Sequence, residues 1–227
     1  MVQFKNDRIY LKIVYYGMAG SGKTTILETL YHLTKDGKRE IIPVSDLLKI
    51  DRTSGATLYF DRGLFKSTKT KKIYYRLYTV AGQKSFSPLR IKVFNDLDAE
   101  TDAVIFVVDS QIKFFEDNIE FLLELKKITN NRLIKEIPFI IMLNKQDLKE
   151  VIDDNNFIQI LKQENLWYDP KHELYIWNPL LYKTCALFHQ QRDIYRSFYE
   201  TARRTGLYHI YGNGKAPIKK TFKIIRS

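Results

Sequence analysis

At 227 residues, with 44% hydrophobic and 28% charged residues, the chain has the composition of one globular domain and shows no sign of a second. A single cysteine excludes a disulfide framework and fits a reducing compartment, and no apolar run is long enough to span a bilayer. The net charge of +11 suits a polyanionic ligand or weak attraction to an anionic membrane, while the absence of any recognition module argues against specific nucleic-acid binding.

In chain order, residues 9–16 form an apolar, β-rich run, and residues 23–33 favour a helix. The stretch 34–52 is polar and irregular. Residues 57–60 and 73–80 read as an antiparallel pair joined across a lysine-rich turn at 66–72. Residues 103–108 are continuously apolar, as a strand buried on both faces requires. Phe121, Leu125 and Ile128 give 117–129 a helical spacing, and 138–143 reads as another buried strand. A short helix is expected at 155–164 and an aromatic inserted loop at 166–178. A closing helix is expected at 190–205, with Gly206 as its stop, and a loose tail follows at 211–220. Alternating strands and helices predict an α/β fold, with a mostly parallel central sheet and helices on both faces.

The chemistry sits in the connections. Gly17-Met18-Ala19-Gly20-Ser21-Gly22-Lys23-Thr24 fits G-x-x-x-x-G-K-[ST] between a strand and a helix. The backbone of Ala19, Gly20, Ser21, Gly22 and Thr25 can wrap a polyphosphate at the positive end of a helix. Lys23 would reach the β- and γ-phosphates, and the Thr24 hydroxyl would ligate Mg²⁺. Asn144-Lys145-Gln146-Asp147 adds the base. The Asp147 carboxylate can accept from N1–H and the 2-amino group of guanine, whereas adenine would leave it unpaired. Together the motifs read as GTP and GDP. Thr184, Cys185 and Ala186 are small enough to offer a backbone N–H to guanine O6. Gly82 can bring a backbone N–H close to a γ-phosphate, and the Gln83 amide can orient an attacking water. Upstream, Thr53 and Thr57 lie where a segment could fold over Mg²⁺, with Thr57 the candidate ligand. Asp109 reads as a strand-end hydrogen-bonding residue and Cys185 as structural, while the four histidines lack metal-site spacing.

This set resembles a Ras-superfamily small GTPase and is most similar to its prokaryotic MglA-like branch, a polarity switch in bacteria. The segments 12–17, 57–61, 77–83 and 107–111 carry the likeness, which covers most of residues 9–205. The resemblance implies a G domain over 1–206 with a basic tail at 207–227, GTP hydrolysis, and a nucleotide-dependent switch working through effectors. It also implies a roadblock-type activating protein. Residue 79 is Thr, as in that branch, where most small GTPases have an Asp that holds a magnesium-bound water; Asp61 is the nearest substitute. Ala56 stands where relatives carry an internal arginine finger, Arg52 and Arg62 are out of register, and Ala19 adds a methyl near the γ-phosphate. Slow unaided turnover is therefore expected, and a GTP-binding scaffold with little hydrolysis is the alternative. Residue 2 is Val and the chain closes without a cysteine, so no lipidation signal is read, and Lys5, Asp7, Arg8 and Lys12 interrupt any apolar stretch, so no signal peptide is read. The expectation is a cytoplasmic monomer or weak dimer, with any membrane contact peripheral and through the basic tail.

Overall fold

Strands too apolar to face water on either side set the architecture. The computed structural model describes residues 3–5, 7–50, 60–95 and 100–218. Among them, nine strands build one sheet: β1 (Gln3–Lys5), β2 (Arg8–Tyr16), β3 (Ile41–Pro43), β4 (Leu48–Ile50), β5 (Phe60–Ser67), β6 (Ile73–Thr79), β7 (Ala103–Asp109), β8 (Phe139–Asn144) and β9 (Leu181–Lys183). Five α-helices flank it: α1 (Lys23–Thr34), α2 (Ser87–Asn95), α3 (Phe115–Ile128), α4 (Asp154–Gln163) and α5 (Ile194–Tyr211).

The strand order is β3-β5-β6-β2-β7-β8-β9, with β1 paired to β2 and β4 to β5. From β6 to β9 all neighbours are parallel; the pairings of β1, β3, β4 and β5 are antiparallel. Every residue of β7 and β8 is buried. Alternate side chains feed two cores. Val14, Tyr16, Phe106 and Val108 pack towards α3 and α4 through Phe121, Leu125 and Phe157. Ile13, Tyr15, Ile105 and Val107 pack towards α1 and α5 through Ile26, Leu30 and Phe198. Each such apolar side chain contributes about 1.5–3 kcal/mol on burial, so the parallel centre is the part of the sheet least free to move. The registers Tyr15↔Thr79, Asp109↔Asn144 and Leu143↔Lys183 put the carboxyl ends of five strands on one edge of the sheet, with β7 to β9 running past Tyr16, which pairs with Phe106. Open α/β sheets bind ligands at that edge.

Several expected boundaries move. The first strand of the hairpin is Phe60–Ser67, so Lys66 pairs with Tyr74 within the ladder instead of opening the turn. Phe65 explains the shift: it is fully buried and packs on Phe198 with ring centroids 5.7 Å apart, which carries the strand past the apolar segment visible in the sequence. Residues 57–59 lie outside the described residues. The irregular 34–52 stretch contributes β3 and β4 to the edge beside β5. Helix α2 lies outside the elements that the sequence predicts. Gly206 does not stop the closing helix, which starts at Ile194 and runs on to Tyr211. A glycine inside a helix costs roughly 1 kcal/mol relative to alanine, and burial of Tyr208 offsets that cost.

The inserted loop and the start of the tail hold each other. Trp177 Nε1 donates to the Pro217 carbonyl at 2.8 Å, and the Ala216 amide donates to Lys135 O at 2.8 Å. Arg204 of α5 donates to the carbonyls of Trp177 and Asn178 at 3.1 and 2.9 Å. Residues 212–218 are therefore docked, not loose. Among the described residues no helix is long and apolar enough to cross a membrane.

Candidate functional site

The turn after β2 wraps back on itself to enter α1. Gly22 sits at φ 100°, and a Cβ there would meet Asn144 Nδ2 at 2.4 Å, so only glycine allows that approach. Asn144 is almost fully buried at the end of β8 and donates from Nδ2 to Ser21 O at 2.8 Å. Its Oδ1 accepts from Thr184 Oγ1 at 3.3 Å. One side chain thus joins the loop at 17–24, the tetrad at 144–147 and the loop after β9.

Lys23 is buried, and its ammonium donates to Gly17 O and Met18 O, both at 2.7 Å. Burial pushes its pKa down to about 7, and the charge of Arg90 adds to the shift. No carboxylate pairs with Lys23 among the described residues. Ser21 Oγ is buried without a hydrogen-bond partner, and α1 starts without a side-chain cap. A cation without a counter-charge, an orphaned hydroxyl and uncapped first-turn amides converge on one spot, which is an arrangement suited to an anion. Ala19, Gly20 and Thr24 are exposed along this rim, and Thr25 is half-buried.

The other half of the edge is equally tied. Lys145 takes a left-handed conformation at φ 70° and reaches Asp109 Oδ2 at 2.6 Å. Asp109 also accepts from the Gln111 amide, while Asn118 bridges its backbone, with Asp109 N donating to Asn118 Oδ1 at 3.0 Å. Asp109 is therefore a strand-end anchor. The Gln146 amide donates to Thr184 O at 3.0 Å, and Thr29 of α1 donates to Ala186 O at 2.6 Å. Thr184, Cys185 and Ala186 are buried, and Asp147 is exposed beside them. Burial pushes the Cys185 thiol pKa up, and the nearby Asp147 carboxylate pushes it the same way, so the thiol is inert at neutral pH.

On the third side, Gly82 presses against the first loop. Its carbonyl accepts from Ala19 N at 2.8 Å, and a Cβ on Gly82 would lie 2.2 Å from that same nitrogen. The Gln83 side chain is exposed. Thr57, and with it Arg52, Thr53 and Ala56, falls outside the described residues. The site also depends on residues that no motif marks: Thr29, Asn118 and, above all, the buried Arg90 on α2, which binds the carbonyls of Ala81 and Gln83. Among the described residues no group of three or more His, Cys, Asp or Glu side chains could hold a metal.

Comparison with known proteins shows the family. A profile of the ADP-ribosylation factor family matches residues 1–193. The mutual gliding-motility protein MglA of Myxococcus xanthus is 30% identical over 172 residues, covering 73% of this chain and 82% of that protein. An ADP-ribosylation factor-like protein of Dictyostelium discoideum is 27% identical over 140 residues, covering 61% of this chain and 68% of its own. The chain belongs to the ADP-ribosylation factor family of Ras-superfamily small GTPases.

Proposed function

We propose that the protein hydrolyses GTP to GDP and phosphate and works as a nucleotide-dependent switch. The observation that carries this reading is Asn144, whose buried amide bonds Ser21 on the phosphate loop and Thr184 beside the base tetrad. That link supports reading phosphate and base recognition as parts of one site. Lys23 supplies positive charge to the β- and γ-phosphates, and its cost of burial is recovered when an anion arrives. Ala19 N, Ser21 N and Thr184 N are held by Gly82 O, Met18 O and Leu143 O, so the amides of Gly20 and of Gly22 through Thr25 would surround the phosphates, Asp147 would read guanine with Lys145 alongside, and the amides of Cys185 and Ala186 would serve its O6. Thr24, exposed at the first turn of α1, fits a hard cation, with Thr57 as the second protein oxygen. Magnesium there would neutralise phosphate charge.

Gln83 orients water but brings no charge, and Ala56 leaves the arginine position empty, so turnover is slow without help. A roadblock-type activating partner fits that gap, and the likeness to the gliding-motility protein supports a polarity role. Nucleotide extracted from the purified protein, with single-turnover hydrolysis of GTP against ATP in magnesium and in EDTA, tests the reading. Bound guanine nucleotide and magnesium-dependent release of phosphate from GTP alone are expected. Adenine preference would overturn it, and tight GTP binding without turnover would favour the scaffold reading.

A further inference from the structure

The loop that carries Gln83 is fastened at three successive carbonyls. Gly82 O accepts from Ala19 N at 2.8 Å on the phosphate-loop side. Ala81 O and Gln83 O both accept from Nη1 of Arg90, at 2.9 and 2.6 Å. The rest of the guanidinium faces Glu124 of α3: Nη2 lies 2.9 and 2.8 Å from the two carboxylate oxygens, and Nε lies 3.2 Å from one. Ser87 donates its hydroxyl to the same carboxylate, and the Phe121 ring lies 4.9 Å from the guanidinium carbon. Arg90 is 1% exposed. Burying a guanidinium is costly unless its donors are used and its charge is paired. An ion pair that only joined α2 to α3 would need the carboxylate alone. Here one nitrogen is committed entirely to the carbonyls on either side of Gly82.

We propose that Arg90 is a positioning residue for hydrolysis: it fixes the backbone flanking Gly82 so that the Gln83 amide is presented to the phosphate loop, with Glu124 and Ser87 holding Arg90 in register. This rests on the hydrolytic reading above. Misplacing a reacting group by about 1 Å costs up to roughly 10²-fold in rate. The test uses the full chain loaded with GTP and measures single-turnover hydrolysis, GDP release, melting and amide exchange at residues 81–84. Arg90→Ala is expected to hydrolyse GTP at least about tenfold more slowly, with faster exchange confined to 81–84 and GDP release close to that of the parent. Glu124→Gln, which keeps the shape of the side chain, is expected to show the same pattern more mildly and serves if Arg90→Ala does not fold. Parent-like hydrolysis in either folded variant would overturn the proposal. So would slower hydrolysis with unchanged exchange at 81–84, or an equal loss of GDP retention, which would make Arg90 merely structural. If the parent neither binds nor hydrolyses GTP, the functional reading fails instead.

Discussion

Gly82→Ala separates the hydrolytic side of the site from the binding side. A Cβ at Gly82 would lie 2.2 Å from Ala19 N, 2.4 Å from Met18 C and 2.6 Å from Ala19 Cα, where ordinary contact begins near 3.4 Å. All three are backbone atoms of the phosphate loop, so no side chain can swing aside. The loop from Ala81 to Gln83 must therefore retreat by about 1 Å, breaking the bond between Gly82 O and Ala19 N. A displacement of that size is expected to slow GTP hydrolysis by roughly 10²-fold. GDP binding should stay near that of the parent, because the atoms an added Cβ meets first belong to Met18 and Ala19 and not to Lys23, Asn144 or Asp147. The strain of about 1–3 kcal/mol falls on a half-exposed loop, so melting should drop by only a few degrees. Single-turnover hydrolysis beside GDP titration reads both effects. Hydrolysis at the parent rate would refute the argument that contact between Gly82 and the phosphate loop fixes the catalytic loop.

The remaining predictions address base, charge, arginine and tail. Asp147→Asn should weaken GTP and favour xanthosine triphosphate, whose 2-oxo group suits an amide donor; unchanged preference in competition binding would remove the base assignment. Lys23 sits at a pKa of about 7 without ligand, and a bound phosphate raises it. Nucleotide affinity is then greatest below pH 7 and falls as pH rises through the ligand-free value, with proton uptake on GDP binding near pH 8. Calorimetry in buffers of different ionisation enthalpy detects that uptake, and its absence would count against Lys23 as the phosphate cation. Ala56→Arg should accelerate unaided hydrolysis, by up to the roughly 10³–10⁵-fold that a placed arginine supplies, and Gln83→Leu should abolish it; fast turnover in the parent would sink the missing-arginine argument. Binding through the basic tail to anionic vesicles should fall as salt rises; retention on neutral vesicles, or after deletion of residues 219–227, beyond the docked 212–218, would refute a role for its charge.

The parts of this molecule that were legible in the sequence are those whose chemistry lies in consecutive residues. The loop at 17–24 and the tetrad at 144–147 each carry a complete recognition pattern, and residues 103–108 and 139–143 are apolar without a break. What escaped depends on partners far along the chain. Gly206 reads as a stop, yet the next turn is held because Tyr208 is buried and donates its hydroxyl to Ile134 O, 74 residues upstream. Trp177 looks like part of a surface insertion, but Tyr208 packs edge-on at 5.0 Å and Pro217 takes its indole N–H. Helix α2 gives no apolar stripe, because Arg90 and Lys92 alternate with Leu89, Ile91 and Val93. Arg90 turns inward only because Glu124, 34 residues on, meets it from α3. The chemistry of Gln83 is thus written at Gly82 and Gln83, whereas its placement is written at residues 90 and 124. A substitution at either of those is expected to slow hydrolysis while every recognisable motif stays intact.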